Sequence, residues 1–122
     1  MKYVNILFCV MMVLFIGVQY NDPDGLMWAF IYLVPALWAA LAGFRLNHVL
    51  GNRAFSALAV SVLGTLVLMG YYWPSTPGFW HKDVWWETET AREGMGMMIA
   101  SLVMLVAAFT IWSARRKLAD PA

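Results

Sequence analysis

The chain is built around the stretch QYNDPDG at residues 19–25, which separates two long apolar runs. It is the first place in the sequence where charged residues cluster. A second polar stretch, ETETARE at residues 87–93, lies just before the last apolar run. Because both stretches border apolar runs, we expect the fold to bring their acidic residues together at one face of a membrane.

The composition is that of a membrane protein. Of the 122 residues, 62% are hydrophobic and only 12% are charged, whereas charged residues make up about 25% of a typical soluble domain. This length fits a single integral membrane domain spanning residues 1–122. A net charge of +1 argues against a partner nucleic acid, which would require a basic face. Cys9 is the only cysteine, so an intramolecular disulfide and a cysteine-based metal cluster are both excluded.

Four stretches are long enough for membrane helices, each of which needs about 20 mostly apolar residues. Their apolar cores contain no lysine, arginine, aspartate or glutamate. The pattern predicts an all-α, antiparallel four-helix transmembrane bundle in contact with the lipid bilayer. The predicted helices cover approximately residues 3–20, 26–44, 54–73 and 89–113.

The basic residues indicate an orientation. With four crossings, most of them fall on one face, which the positive-inside rule places in the cytoplasm. We therefore expect both termini to be cytoplasmic, in the cell's inner or plasma membrane. The opposite face includes residues 75–88, predicted to be an outer loop whose tryptophans lie in the headgroup layer. The basic residues of the cytoplasmic face are Lys2, Arg45, Arg53, Arg115, Arg116 and Lys117.

The first polar stretch allows a structural and a functional interpretation. Asp22 can cap the second helix, with Pro23 at the first helical position and Asp24 in the first turn. A carboxylate there accepts hydrogen bonds from free backbone N–H groups and meets the positive end of the helix dipole. Alternatively, Asp22 or Asp24 binds a cation or a substrate group, with Gln19 and Asn21 supplying further oxygen ligands.

The second polar stretch has two possible helix starts. Thr90 and Glu93 fit a capping box. If the helix begins earlier, Glu89 and Glu93 share one face, with Arg92 beside them. Glu93 is then the acidic residue deepest in the chain's membrane zone, where a carboxylate is costly unless it is paired. It is therefore the first candidate site residue, although a pair with Arg92 would also explain it. The same face continues through Gly96, Met97 and Ala100.

Three kinds of function remain open. The first is a non-enzymatic module that binds a protein partner, a lipid or a second copy of itself, supported by the lack of any motif that places serine or cysteine beside histidine. The second is an outer cation site formed by Asp22, Asp24, Glu89 and Glu93, whose oxygen ligands favour Ca²⁺ or Mg²⁺. The third is an intramembrane enzyme acting on a lipid or a small polar substrate, with Glu93 or Asp22 as general base and Arg92 holding an anionic group.

Two ordered motifs carry a family resemblance. The first is QxNDPD at residues 19–24, followed by Trp28, Tyr32 and the Pro-Ala pair at 35–36. The second is ExxRExxG at residues 89–96, at the start of the last helix. Together they resemble the transmembrane protein 220 family, over most of the chain and in the same order. The resemblance implies a small multi-pass membrane protein and supplies no mechanism.

Overall fold

The protein is built of helices. The computed structural model describes residues 1–21, 23–75 and 77–119, without the side chains of Asn21, Trp85 and Trp86. Short 3-10 turns follow the first two helices, at Val18–Asn21 and Leu46–His48. The helices are α1 (Lys2–Gly17), α2 (Gly25–Phe44), α3 (Asn52–Tyr71), α4 (Lys82–Glu87) and α5 (Glu89–Ala119).

Four of these helices are long and apolar enough to cross a membrane: α1 with its 3-10 turn, α2, α3 and α5. Within the described ranges there is no β-strand. The prediction of an all-α, four-helix transmembrane bundle is therefore confirmed. The protein is an integral membrane protein whose environment is the lipid bilayer.

The last helix lies at the centre of the bundle. Within the most apolar window of α5, 56% of residues are buried, compared with 11% in the windows of α1 and α3. α5 packs against α2 and α3, and α1 packs mainly along α2. The exposed residues of α1 and α3 are predominantly apolar, as expected of surfaces that face lipid.

Small residues bring α1 and α2 close together. Ala36, Ala39 and Gly43 of α2 are all buried. A Cβ atom at Gly43 would lie 2.8 Å from Cγ1 of Ile6 in α1, so a larger residue there would push the helices apart. Since lipid tails are as apolar as the helix surfaces, close van der Waals packing of this kind is a main source of helix association in membranes.

Arg115 ties the basic end of the bundle together. Its guanidinium group donates hydrogen bonds to the carbonyl oxygens of Leu50 (2.8 Å) and Gly51 (2.9 Å), and to Oδ1 of Asn52 (3.2 Å). It also lies over the Phe55 ring, 4.3 Å from the centroid. The connection between α2 and α3 is thereby attached to the end of α5.

The structure differs from the sequence predictions in local detail. Residues 82–87 of the expected outer loop form the short helix α4. α5 takes the earlier of its two starts, at Glu89, and continues past Ser113 to Ala119. α2 begins at Gly25, so Pro23 lies in a turn outside the helix. The capping role predicted for Asp22 falls on a residue outside the described ranges.

Replacing Thr110 by valine should lower the free energy of unfolding by about 0.6 kcal/mol, the average for a hydrogen bond between membrane helices. Asn5 of α1 is fully buried, and its Nδ2 donates to Oγ1 of Thr110 in α5 at 2.9 Å. Valine keeps the shape of threonine and removes this acceptor. Equilibrium unfolding in mixed detergent micelles measures the loss.

Thr65→Val provides the matched control, because the Thr65 hydroxyl donates only within its own helix, to the Ser61 carbonyl oxygen at 2.7 Å. Its effect should be smaller than that of Thr110→Val. Equal losses in the two variants would show that the bond between α1 and α5 adds nothing to stability.

Candidate functional site

Three carboxyl groups meet at the end of the bundle opposite Arg115. Asp24 immediately precedes α2, and Glu89 and Glu93 lie in the first turns of α5. One carboxylate oxygen from each residue lies within 4.8 Å of the other two. Asp24 and Glu93 are half-buried, and Glu89 is exposed. The structure thus brings residues of both polar stretches to one place, called the acidic cluster below.

Local helix geometry explains how each carboxylate reaches the cluster. Glu89 and Glu93 are four residues apart, so they project from the same face of α5. All three residues are near helix N-termini, where the positive end of the helix dipole favours a negative charge. The starts of α2 and α5 are close because the two helices pack against each other.

Aromatic side chains hold the cluster on the side of α2 and α3. The buried Trp28 donates a hydrogen bond from its indole Nε1 to Oδ2 of Asp24, at 3.2 Å. Tyr72, just beyond α3, packs edge-on against Trp28 with centroids 4.9 Å apart. The pKa of the Tyr72 hydroxyl is raised, first by burial and then by nearby negative groups, Glu93 and Asp24 among them. Tyr72 is therefore also part of the surroundings of the cluster.

A cavity of about 570 Å³ lies beside Glu89 and Glu93, between α1, α2 and α5. Its polar lining residues are Gln19, Glu89, Arg92 and Glu93. The Gln19 amide is held by a hydrogen bond from Nε2 to the Phe15 carbonyl oxygen, at 3.1 Å. The remaining lining residues are Phe15, Val18, Trp28, Tyr32, Met95, Gly96 and Ile99. The cavity therefore combines a charged end with a largely apolar wall.

Two glycines allow the close packing that shapes this wall. A Cβ atom at Gly96 would collide with the hydroxyl group of Tyr32, so that hydroxyl lies directly against the backbone of α5. A Cβ atom at Gly94 would lie 2.6 Å from the carbonyl oxygen of Tyr72. The N-terminal part of α5 can approach α2 and the end of α3 because these positions lack a side chain.

The family described as Transmembrane family 220, helix, matches residues 11–109, from α1 to near the end of α5. The chain belongs to this family. The family resemblance inferred from the QxNDPD and ExxRExxG motifs is thereby confirmed. No curated protein and no solved structure matches the chain.

In this member of transmembrane family 220, the sequence-predicted residues divide into three groups. Asp24, Glu89 and Glu93 form the acidic cluster. Gln19 and Arg92 line the adjoining cavity. The predicted ligand Asp22 and the side chain of Asn21 lie outside the described part of the chain.

Sequence reasoning missed the aromatic part of the site in this family 220 protein. Trp28 and Tyr32 follow Asp24 at intervals of four residues, a spacing that places all three on one helix face. That spacing was available in the sequence. Phe15 could not be found in this way, because its place in the cavity depends on how α1 packs along α2.

Proposed function

We propose that this family 220 protein is a membrane-embedded binding module that holds a positively charged ligand at the acidic cluster and in the adjoining cavity. The observation that carries the proposal is the approach of Asp24, Glu89 and Glu93 to within 4.8 Å of one another. Like charges at this spacing repel, so a bound cation or proton stabilises the arrangement. A cavity of about 570 Å³ also falls in the usual range of small-ligand sites, about 300–1,000 Å³.

A divalent cation is the second candidate ligand. Carboxylate oxygens are the ligands that Ca²⁺ and Mg²⁺ prefer, and three of them meet at the cluster. Asp22, with Gln19 and Asn21, completes the ligand set that the sequence predicts. This alternative uses the acidic cluster without needing the apolar part of the cavity.

The intramembrane enzyme is the weaker alternative. Among the described residues that line the cavity there is no serine, cysteine or histidine, which are common nucleophiles and bases. Glu93 or Asp22 would have to act as general base, with Arg92 holding an anionic group. The binding module requires only the charge and the space that are present.

For orientation, we infer that the acidic cluster faces outward and that both termini are cytoplasmic, in the inner or plasma membrane. The support is the distribution of charge. The basic residues Lys2, Arg45, Arg53 and Arg115 lie at the end of the bundle opposite the cluster, and the positive-inside rule places that end in the cytoplasm. In this orientation the chain forms a single domain. Its lipid-facing helices are the surface to which a protein partner or a second copy of the chain would bind.

Thermal unfolding in a neutral maltoside detergent tests the proposed function. After treatment with chelator, the protein is titrated separately with Ca²⁺, Mg²⁺, Mn²⁺, Zn²⁺ and alkylammonium ions. We expect at least one cation to raise the melting temperature. A cation that binds only the folded state adds about 2.7 kcal/mol to the free energy of unfolding at a hundred times its dissociation constant.

Two variants decide whether such a rise comes from the acidic cluster. Glu93→Gln should abolish it, because the variant removes one of the three carboxylates. Glu87→Gln is the matched control, since Glu87 is exposed in α4 and lies outside the cluster, and it should respond like the wild type. A flat response to every cation, or an equal response in Glu93→Gln, would refute the proposed function.

A further inference from the structure

We propose that the ligand is an amphiphilic ammonium ion, with its charged nitrogen at the acidic cluster and its alkyl chain along the apolar wall of the cavity. This inference rests on the proposed function, in which the cavity takes a cation. It goes beyond that function because it explains the apolar and aromatic lining of the cavity, which the binding of a metal ion does not explain.

The size and direction of the cavity fit a long ligand. Its volume of about 570 Å³ far exceeds what a single metal ion needs. Its lining extends along α5 from Glu89 to Ile99, about 15 Å at the usual rise of a helix. Glu93 and Ile99 alone are separated by about 9 Å along the helix axis. A ligand that fills this space has a charged end at the glutamates and an apolar portion reaching towards Ile99.

An aromatic wall lies next to the carboxylates. Phe15, Trp28 and Tyr32 all line the cavity. The ring centroids of Phe15 and Tyr32 are 5.5 Å apart, and those of Trp28 and Tyr32 are 5.7 Å apart. Clustered aromatic rings attract ammonium groups through their negative faces. Carboxylates alone suit many cations, but carboxylates combined with aromatic rings favour an organic one.

The Tyr32 hydroxyl adds a polar group to the cavity wall. Tyr32 is only 4% exposed and lines the cavity, and its hydroxyl lies against Gly96, another lining residue. Among the described residues, this hydroxyl has no hydrogen-bond partner. The hydroxyl therefore gives the cavity wall an acceptor for a ligand that carries a hydrogen-bond donor, such as an ammonium group.

The charge of the site agrees with this ligand. Arg92 also lines the cavity, and one guanidinium group beside three carboxylates leaves the described site net negative. Two sources supply the required chemistry: the ammonium headgroup of a membrane lipid, or a free long-chain amine. Both present a positive nitrogen at the level of the bilayer surface; the free amine carries it directly on its alkyl chain, and the lipid carries it on a phosphate and glycerol unit above the acyl chains.

The test compares octylammonium, methylammonium and octanol on the full chain in neutral maltoside micelles, with thermal unfolding as the readout. Octylammonium has both the charge and the chain, and each control lacks one of them. We expect octylammonium to give half of its maximum stabilisation at a concentration at least about tenfold lower than methylammonium requires. The reason is that each buried methylene raises the affinity roughly fourfold. Octanol should give no saturable rise.

Variants then connect the effect to the cavity. Glu93→Gln and Tyr32→Phe should each weaken octylammonium binding by about tenfold, the effect of losing one charge-assisted contact. Glu87→Gln should leave it unchanged. If Glu93→Gln fails to fold, the comparison of the three probes on the wild type still decides. Added phosphatidylethanolamine identifies the source of the ammonium group. If it competes with octylammonium, the ligand is a lipid headgroup. If it does not compete, the ligand is a free amine.

Four results would overturn the inference. Octanol acting as well as octylammonium would show that the charge is not recognised, and methylammonium acting as well would show that the chain is not. Stabilisation by Ca²⁺ or Mg²⁺, but not by octylammonium, would support the proposed cation site and reject the ammonium ligand. If no cation acts at all, both this inference and the proposed function fail.

Discussion

Trp28→Ala should lower the free energy of unfolding by about 3–5 kcal/mol, the usual cost of truncating a fully buried large aromatic residue. The Trp28 side chain is only 2% exposed. Its ring packs against Tyr32 and Tyr72, with centroids 5.7 and 4.9 Å away. Alanine leaves a void among α2, the end of α3 and the start of α5, and the atoms around it lose their dispersion contacts. Equilibrium unfolding in mixed detergent micelles, followed by circular dichroism, measures the change.

A graded series separates packing from hydrogen bonding. Trp28→Phe retains an aromatic ring but removes the indole donor to Asp24, so its loss should be clearly smaller than that of Trp28→Ala. Trp80→Ala is the control for residue type, because Trp80 is 61% exposed and should change stability by no more than about 0.5 kcal/mol. If Trp28→Ala lowers the free energy of unfolding no more than Trp80→Ala does, the packing of Trp28 does not stabilise the core.

Gly25→Ala should also destabilise the protein strongly, by about 1–3 kcal/mol or more. Gly25 is the first residue of α2. A Cβ atom there would collide with the backbone oxygen of Gln19 and lie 3.0 Å from its carbonyl carbon. Backbone atoms cannot rotate away as a side chain can, so the connection between α1 and α2 would have to move. The same unfolding experiment detects the loss.

Gly17→Ala is the matched control for this substitution. Gly17 ends α1, and nothing lies within 4 Å of the Cβ atom that alanine would add. Because alanine favours helix more than glycine by about 1 kcal/mol, Gly17→Ala should be neutral or stabilising. Equal destabilisation in the two variants would argue against the tight contact between Gly25 and Gln19.

The membrane helices were predictable because the requirement for them is local. Backbone polar groups in a bilayer must be satisfied internally, so a run of about 20 apolar residues is stable there as a helix. The separation of Glu89 and Glu93 by four residues was equally readable, because it depends only on the helix repeat. The short helix α4 was not anticipated, because residues 82–87 have too few residues for a helix to be stable without its neighbours.

The acidic cluster and its cavity depend on contacts between distant segments. Asp24 and Glu93 belong to different helices, and the sequence shows only that each lies near the start of one. Their approach requires α2 to pack against α5, which Gly96 permits because it has no side chain opposite Tyr32 of α2. The cavity likewise exists because α1 follows α2 more closely than it follows α5. Helix formation depends on short-range backbone hydrogen bonds. The site depends on how the surfaces of whole helices fit together.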